Sequence, residues 1–275
     1  MAGAAGQPWR YAWSSVIGTS HLRSGTPCQD HAAVAPFPLA RERPDVLLAV
    51  AADGAGSAAR ADEGARAACE EFLAFAQLAL CQYLDVPSFT DGFPRDALGD
   101  LRDRIEERAR GDGAALRDYA CTFLAAVVGP DEALFMQVGD GAIALRDPAT
   151  AAWSLALPPT RGEFANETVF VTRPDAQRHL QVRRVEGRVD EFALMTDGVE
   201  FLAVQQATAT PHAPFLERVF RDLRPRPPGH AAEHADWLGG FLASDAVNRR
   251  TDDDKTLVLA TRAAAAPAAP ARPPP

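Results

Sequence analysis

Three apolar, strand-like runs in this chain end in the dipeptide Asp-Gly. The runs are VLLAVAADG, ALFMQVGDG and EFALMTDGV, which place Asp53, Asp140 and Asp197 at their ends, and the acidic triplet Asp252-Asp253-Asp254 precedes a fourth run, TLVLA. Asp-Gly is also the favoured dipeptide of tight hairpin turns. Asp91-Gly92 and Asp112-Gly113, which follow no apolar run, are typical of such ordinary turns. The acids next to the apolar runs differ from these turns, because carboxylates at the ends of several buried strands can gather on one edge of a core.

A group of neighbouring carboxylates needs a compensating positive charge, because like charges a few ångströms apart oppose each other's ionisation. Ligand sets made only of oxygen suit Mg²⁺ or Mn²⁺. The chain has no paired Cys or His spacing of the kind that binds zinc. A glycine after each Asp would let the backbone approach an ion or a substrate closely. The set therefore predicts a magnesium or manganese site.

The composition is that of a globular protein with a sizeable core. The 275 residues are 47% hydrophobic and 24% charged, with a formal net charge of −9, which argues against a nucleic-acid partner. The four cysteines have no framework spacing, so reduced thiols are expected. No cationic start followed by a long apolar segment marks a signal peptide, and no apolar stretch reaches the roughly 20 residues of a membrane span. We expect a soluble, cytoplasmic protein.

The order of elements predicts one α+β domain over residues 9–262, with a disordered lead-in at 1–8 and a disordered Ala/Pro-rich tail at 263–275. Strands are expected at 9–18, 31–37, 45–52, 120–129, 132–139, 142–147, 151–157, 167–172, 180–186, 191–196 and 256–262, and helices at 58–84, 94–110, 212–223 and 231–248. Strands in hairpins, with the helices in separate blocks, favour antiparallel layers over alternating βαβ units.

Three- and four-residue spacing predicts the buried face of two of these helices. The first presents Ala65, Cys69, Phe72, Ala76, Leu80 and Tyr83, and the last presents Trp237, Leu238, Phe241 and Leu242. Both faces are interpreted as core.

Five short motifs in this order make the chain resemble the metal-dependent type-2C serine/threonine protein phosphatases. The motifs are Gln29-Asp30, Asp53-Gly54-Ala55-Gly56, Gly139-Asp140-Gly141, Thr196-Asp197-Gly198 and Asp253-Asp254-Lys255-Thr256, and the segment GTPCQDH resembles a bacterial branch. The resemblance spans about residues 10–262. It implies a central β-sandwich of two antiparallel sheets flanked by helices, in α-β-β-α layers.

The resemblance also implies roles for individual residues around two or three Mn²⁺ or Mg²⁺ ions. Asp53 would bridge two ions with the Gly54 carbonyl on one of them, Asp197 and Asp253 would complete the second ion's ligands, Asp140 would help to hold a third ion, Gln29 and Asp30 would hold metal-bound water, and Asp254 stands where the family usually has Asn. The implied reaction removes phosphate from phosphoserine and phosphothreonine in proteins, which are products of serine/threonine kinases. A hydroxide bridging the metals would attack directly, without a protein nucleophile.

Two features of the family's pattern are missing. Gly25 stands where many members have a phosphate-binding Arg, and Arg23 or His21 lies close enough along the chain to replace it. Ala55 stands where some members have a His that protonates the leaving group, and His21 and His31 are the candidates for that role. Cys28 lies beside a motif, but we interpret it as a small buried residue.

Two other classes of function remain open at this stage. A non-catalytic regulator could keep the fold and bind a phosphorylated partner, which would fit Gly25 and Ala55. The retained acids oppose it, because an unused carboxylate cluster is destabilising without its metals. A calcium-binding structural module would need dense DxDxDG spacing, which the chain lacks.

Overall fold

The computed structural model describes residues 9–38, 46–83, 92–157, 159, 168–205 and 207–262. The strands are β1 Trp9–Val16, β2 Asp30–Phe37, β3 Val46–Asp53, β4 Phe123–Val128, β5 Glu132–Val138, β6 Ala142–Arg146, β7 Trp153–Leu157, β8 Gln181–Glu186, β9 Glu191–Met195, β10 Val204–Gln205, β11 Thr210–Pro211, β12 Gly229–His230 and β13 Lys255–Arg262. The helices are α1 Thr19–Ser24, α2 Ala61–Tyr83, α3 Phe93–Gly111, α4 Asp197–Ala203, α5 Ala213–Arg221, α6 Ala232–Leu242 and α7 Asp245–Asn248. The predicted lead-in, the predicted tail and Asp91 lie outside the described residues.

Two sheets pack face to face. One has the strand order β12-β1-β13-β9-β6-β7 and the other β2-β3-β4-β5-β8. Their pairings are antiparallel except for the two-residue β12, which runs parallel to β1. Apolar side chains of both sheets, including Trp9, Phe135 and Phe192, fill the space between them. The predicted α+β sandwich is therefore confirmed.

Helices cover the outer face of each sheet. Side chains of α2 and α3 pack against the β2-β3-β4-β5-β8 sheet, and those of α4, α5 and α6 pack against the other sheet. β3 shows how the sequence produces these layers, because every side chain from Val46 to Ala52 is buried. Successive strand residues point to opposite faces, so Leu48 and Val50 contact the helices while Leu47 and Ala49 face the second sheet.

The face predicted for the first long helix is buried: Ala65, Cys69, Phe72, Ala76 and Leu80 have no exposed surface. The Tyr83 side chain lies outside the described residues. The last predicted helix is instead two helices, α6 and α7, separated at Ala243-Ser244. Ser244, the N-cap residue of α7, has extended backbone angles (φ −67°, ψ 151°), so the helix is interrupted there and α7 starts at Asp245. Trp237 is 37% exposed, so its predicted burial was wrong.

The strand predicted at 167–172 does not form in the described residues 168–172. Val169 and Val171 are buried, as their alternation suggested, but the chain turns from Val171 to Pro174. The Val171 N–H donates to the Cys121 carbonyl at 2.9 Å, so this segment lies across the start of β4 and does not extend a sheet. Two short helices were not predicted: α1, which precedes Gln29-Asp30, and α4, which begins at Asp197.

Candidate active site

The strand register brings the acidic motifs to one end of the sandwich. Ala142 of β6 pairs with Met195 of β9, which pairs with Leu257 of β13. Asp140, Asp197 and Asp253 lie two to four residues beyond these positions, at the same end of that sheet. In the other sheet, the first residue of β2 is directly opposite the last residue of β3, which pairs Asp30 with Asp53. Five acids from distant parts of the chain therefore meet where both sheets end.

Asp53, Asp140 and Asp197 form the centre of this cluster. Each offers a carboxylate oxygen, and these three oxygens lie within 4.8 Å of one another. Each residue is partly buried, so the group is in contact with solvent but surrounded by protein. Three carboxylates at such spacing and partial exposure can share a divalent cation.

The cluster is electrostatically strained in the protein alone. Burial and the charges of the surrounding carboxylates raise the pKa of Asp53 well above its usual range and that of Asp197 to about 7. Burial, with the charge of Asp254 added, raises the pKa of Asp30 to about 7. Desolvation and the adjacent acids also raise the pKa of Asp253. A bound cation would reverse each of these shifts, because it favours the ionised form.

Two buried oxygens at this site have no hydrogen-bond partner among the described residues. They are Oε1 of Gln29 and Oδ1 of Asp30, although both residues are at most 6% exposed. A buried polar atom without a partner is unfavourable. Metal-bound water, which the resemblance assigns to this pair, would satisfy both atoms. The oxygen-only donor set and these two atoms therefore fit divalent metal binding.

Asp254 has a different position from its neighbour Asp253. Its side chain is buried, Oδ1 accepts the Gly18 N–H at 2.6 Å, and Oδ2 accepts the Gln29 N–H at 2.5 Å. Nδ1 of His21 lies 2.9 Å from the same Oδ2. Both oxygens of the Asp254 carboxylate are thus occupied by hydrogen bonds within the protein. We interpret Asp254 as a residue that positions the loops of the site.

Lys255 and three threonines also support the site, and sequence reasoning missed them. The buried Lys255 donates through Nζ to the Asp253 carbonyl at 3.0 Å and to Asn248 Oδ1 at 3.1 Å. Thr196 donates to Asp30 Oδ2 at 2.8 Å and accepts the Thr256 N–H at 2.9 Å, which links the two sheets. Hydrogen bonds from within the protein therefore hold the Asp30 side chain and the Asp253 backbone in place.

The other two threonines act on the central acids. Thr122 Oγ1 accepts the Asp53 N–H at 3.0 Å, and Thr168 Oγ1 donates to Asp140 Oδ2 at 2.5 Å. The only sequence signal for these supporting residues is that Thr196 and Lys255 adjoin the acidic motifs; Thr122 and Thr168 have none.

The glycines of the Asp-Gly motifs serve tight packing of the chain. A Cβ on Gly198 would lie well inside van der Waals contact of the Asp254 carbonyl oxygen, and one on Gly54 would meet the Ala61 backbone. The Gly54 N–H donates to the Gln29 carbonyl at 3.0 Å. The sequence-based reason for these glycines was close approach to an ion or a substrate. The structure shows that a neighbouring backbone segment occupies the space.

The histidine and arginine candidates differ in their surroundings. His21 is mostly buried in α1, with Nδ1 beside the Asp254 carboxylate. Arg23 is exposed and donates to Asp252 Oδ2 at 3.0 Å. His31 lies on β2 next to Asp30, so it points to the opposite face of the strand. There, burial and the charge of Arg66 lower its pKa.

The cysteines are all free thiols, as predicted. Burial and the nearby charges of Asp254 and Asp30 raise the pKa of Cys28 far above its usual range, which keeps it a protonated thiol and not a nucleophile. Among the described helices, none combines the length and the apolar character needed to cross a bilayer.

The sandwich and the partly exposed carboxylate cluster at its end agree with the metal-dependent phosphatase that the sequence motifs predict. Residues 17–243 match the family model described as protein phosphatase 2C. The chain belongs to the type-2C protein phosphatase family, whose members are metal-dependent.

Known relatives agree with this assignment. The chain is 36% identical over 254 residues to serine/threonine-protein phosphatase 3 of Escherichia coli (strain K12), an alignment covering 92% of this chain and 98% of the relative. The crystal structure of a bacterial serine phosphatase superposes with a TM-score of 0.62 at 14% identity, over 93% of this chain and 98% of the other. Serine/threonine phosphatase Stp1 from Staphylococcus aureus gives a TM-score of 0.57 at 14% identity, over 92% and 95%. At 14% identity, these two structures support the fold alone.

Proposed function

We propose that this protein removes phosphate from phosphoserine and phosphothreonine residues of other proteins, at a centre of two or three Mn²⁺ or Mg²⁺ ions. The observation that carries the proposal is the meeting of Asp53, Asp140 and Asp197 within 4.8 Å in a chain that belongs to this family. The 36% identity to a serine/threonine-protein phosphatase supports the choice of substrate. Its substrates would be products of serine/threonine kinases.

We assign Asp53, Asp140, Asp197 and Asp253 as the carboxylates that hold the ions, with the Gly54 carbonyl. Gln29 and Asp30, whose buried oxygens lack partners among the described residues, would orient water at the same place. The ions would supply a water of lowered pKa and would neutralise charge on the phosphoryl oxygens. The protein itself fixes the acids through Thr122, Thr168, Thr196 and Lys255, so that the ligand geometry exists before substrate binds.

The first experiment is hydrolysis of a phosphothreonine peptide by the wild-type protein with Mn²⁺, Mg²⁺, Ca²⁺ or EDTA. We expect turnover with Mn²⁺ or Mg²⁺ and none in EDTA, because the strained carboxylates cannot bind a phosphate ester without cations. A folded protein that binds Mn²⁺ yet hydrolyses no phosphate ester would instead indicate the non-catalytic regulator. The intact acidic cluster and the enzyme relative do not favour that regulator.

His21 is our candidate for proton transfer to the leaving group, with Arg23 as the alternative contact to phosphate. Asp254 accepts hydrogen bonds from backbone N–H groups through both oxygens, so Nδ1–H of His21 donates to it, and the Nε2–H of the protonated ring would be the proton given to the leaving group. General acid catalysis contributes about 10²- to 10⁴-fold. We therefore expect His21→Ala to lower kcat on a phosphothreonine peptide by about 10²-fold.

The leaving group provides the control for this prediction. The nitrophenolate released from p-nitrophenyl phosphate needs little protonation, so His21→Ala should affect that substrate far less than the peptide. Arg23→Ala should change only KM, and by a few fold, because its guanidinium is exposed and tied to Asp252. Equal losses on both substrates for His21→Ala, or a larger loss for Arg23→Ala, would contradict the assignment.

A further inference from the structure

A cavity of about 390 Å³ is lined in part by the loop that follows Asp53. Its walls include Ala55 and Ser57 from the loop after β3, Arg117 from the turn before β4, and Phe170 and Arg173 from the segment after residue 167. Its volume lies near the lower end of the range for small-ligand pockets. It has room for an amino-acid side chain, and none of the roles proposed above uses it.

One wall of the cavity follows Asp53 in the chain, and the other follows Thr168, which is hydrogen-bonded to Asp140. Ala55 follows Asp53 by two residues, and its N–H donates to the Ala120 carbonyl at 2.8 Å. Phe170 follows Thr168 by two residues, and Thr168 is hydrogen-bonded to Asp140. Two residues of extended chain span about 7 Å. A peptide with its phosphorylated residue at the cluster would therefore place an adjacent side chain in or near this cavity.

The cavity has positive charge on its rim in a protein of net charge −9. Arg117 is exposed, and its guanidinium makes no hydrogen bond or ion pair with any residue that the structure describes. Its acidic neighbour Asp118 accepts the Ala115 N–H at 2.9 Å. Arg173 donates to Asp175 through Nε at 2.9 Å and Nη2 at 3.2 Å, which fixes its guanidinium in place. Arg117 thus has no ion-pair partner among the described residues, and the Asp118 carboxylate, which also lines the cavity, is bonded to the Ala115 N–H and not to Arg117.

We propose that this cavity binds an anionic side chain of the phosphoprotein, one to three residues from the phosphorylated position, with Arg117 as its main partner and Arg173 beside it. The anion would be a carboxylate of Asp or Glu or a second phosphate, because a guanidinium binds either group. The small side chains of Ala55 and Ala58 leave space for the group, and Phe170 contacts its apolar stem. The proposal rests on the phosphatase function proposed above and adds a sequence preference to it.

The test measures kcat/KM for phosphothreonine peptides that carry Asp, phosphoserine, Ala or Lys at each of the three positions on either side. For the wild type, we expect Asp or phosphoserine to exceed Ala by about fivefold at one position, the size of a partly exposed ion pair. Lys should fall below Ala at that position. Comparing Asp with phosphoserine identifies the preferred anion.

Charge reversal assigns the preference to the cavity. Arg117→Glu should remove the acidic preference and favour the Lys peptide, and Arg173→Glu should reduce the preference. Each variant is judged by the ratio of kcat/KM between two peptides, so a change that affects all substrates equally cancels. Arg221→Glu is the matched control, because Arg221 is exposed on α5, against the other sheet, and the net charge changes equally. That control should keep the wild-type preference.

Three results would overturn the inference. They are equal rates for acidic and neutral peptides at every position, an acidic preference that survives both Arg117→Glu and Arg173→Glu, and hydrolysis of p-nitrophenyl phosphate with no turnover of any peptide. In the first two cases the proposed function would stand, and in the third only a metal-dependent hydrolysis of small phosphate esters would remain. Absence of turnover of p-nitrophenyl phosphate by the wild type with Mn²⁺ would instead defeat the proposed function, and this inference with it.

Discussion

Asp53→Asn is expected to abolish phosphatase activity while it stabilises the metal-free protein. Asp53 lies at the centre of the acidic cluster, and its pKa is raised by burial and by four neighbouring carboxylates. A catalytic metal ion contributes several kcal/mol to transition-state stabilisation, so we expect a loss of kcat/KM of about 10³-fold or more. Isothermal titration with Mn²⁺ should show weakened binding. Asp236→Asn, the same change at an exposed residue of α6, should keep wild-type activity.

The stability effect has a defined dependence on pH. A carboxyl whose pKa is raised in the folded state keeps its proton there after the unfolded chain has lost it. The raised pKa values of Asp30 and Asp197 therefore lower the free energy of unfolding as pH rises from about 4 to about 7, and the raised pKa of Asp53 acts in the same direction. Below that range, both states are protonated and the penalty disappears. Each unit of pKa elevation corresponds to about 1.4 kcal/mol.

Thermal unfolding in EDTA measures this effect. At pH 8 the Asp53→Asn variant should unfold at a higher temperature than the wild type, and at pH 4 the difference should be much smaller. Saturating Mn²⁺ should raise the unfolding temperature of the wild type far more than that of the variant. A variant that is equally destabilised at both pH values would show that the cluster is not strained and that the carboxylate serves packing.

Gly198→Ala is expected to damage the metal centre without changing any metal ligand. The added methyl group would overlap the Asp254 carbonyl oxygen and approach Lys255 Cγ at 3.3 Å. That backbone also places Asp253 and the hydrogen bonds that Asp254 makes with Gly18 and Gln29. Residues that orient metal ligands typically contribute 10- to 100-fold to affinity or activity, so we expect a loss of Mn²⁺ affinity of about that size. The free energy of unfolding should fall as well.

Gly240→Ala is the matched control. Gly240 lies in α6, and a Cβ there would have no heavy atom of the described residues within 4 Å beyond its chain neighbours and the backbone of its own helix. In a helix, Ala is favoured over Gly by about 1 kcal/mol, so this variant should be slightly more stable and fully active. Wild-type Mn²⁺ affinity in Gly198→Ala would mean that the 252–254 loop can shift without moving Asp253.

Much of the fold could be predicted from local sequence patterns. The alternating and continuous apolar runs predicted the strands, and three- and four-residue spacing predicted α2 and its buried face. These patterns succeed because burial on a strand or helix depends on a period that the sequence displays directly. Prediction failed at residues 168–172, where apolar alternation is present. There, the chain crosses another strand end and then turns at Pro174.

In the candidate site, too, some residues could be predicted from the sequence and others could not. Asp53, Asp140 and Asp197 could be proposed as neighbours because each terminates an apolar run. The role of Asp254 could not, since its carboxylate accepts the N–H of Gly18, which is 236 residues away in the chain. Thr122 and Thr168 likewise act on acids to which no sequence pattern connects them.

The sequence by itself determined the sandwich, the family and the acids that meet at one end, because strand periodicity and short motifs are local properties of the chain. Only the tertiary structure decided which of the adjacent acids Asp253 and Asp254 supports the loops, and that Arg117 and Arg173 border one cavity. Those arrangements depend on contacts between segments far apart in the chain, where a difference of one residue directs a side chain to a different neighbour.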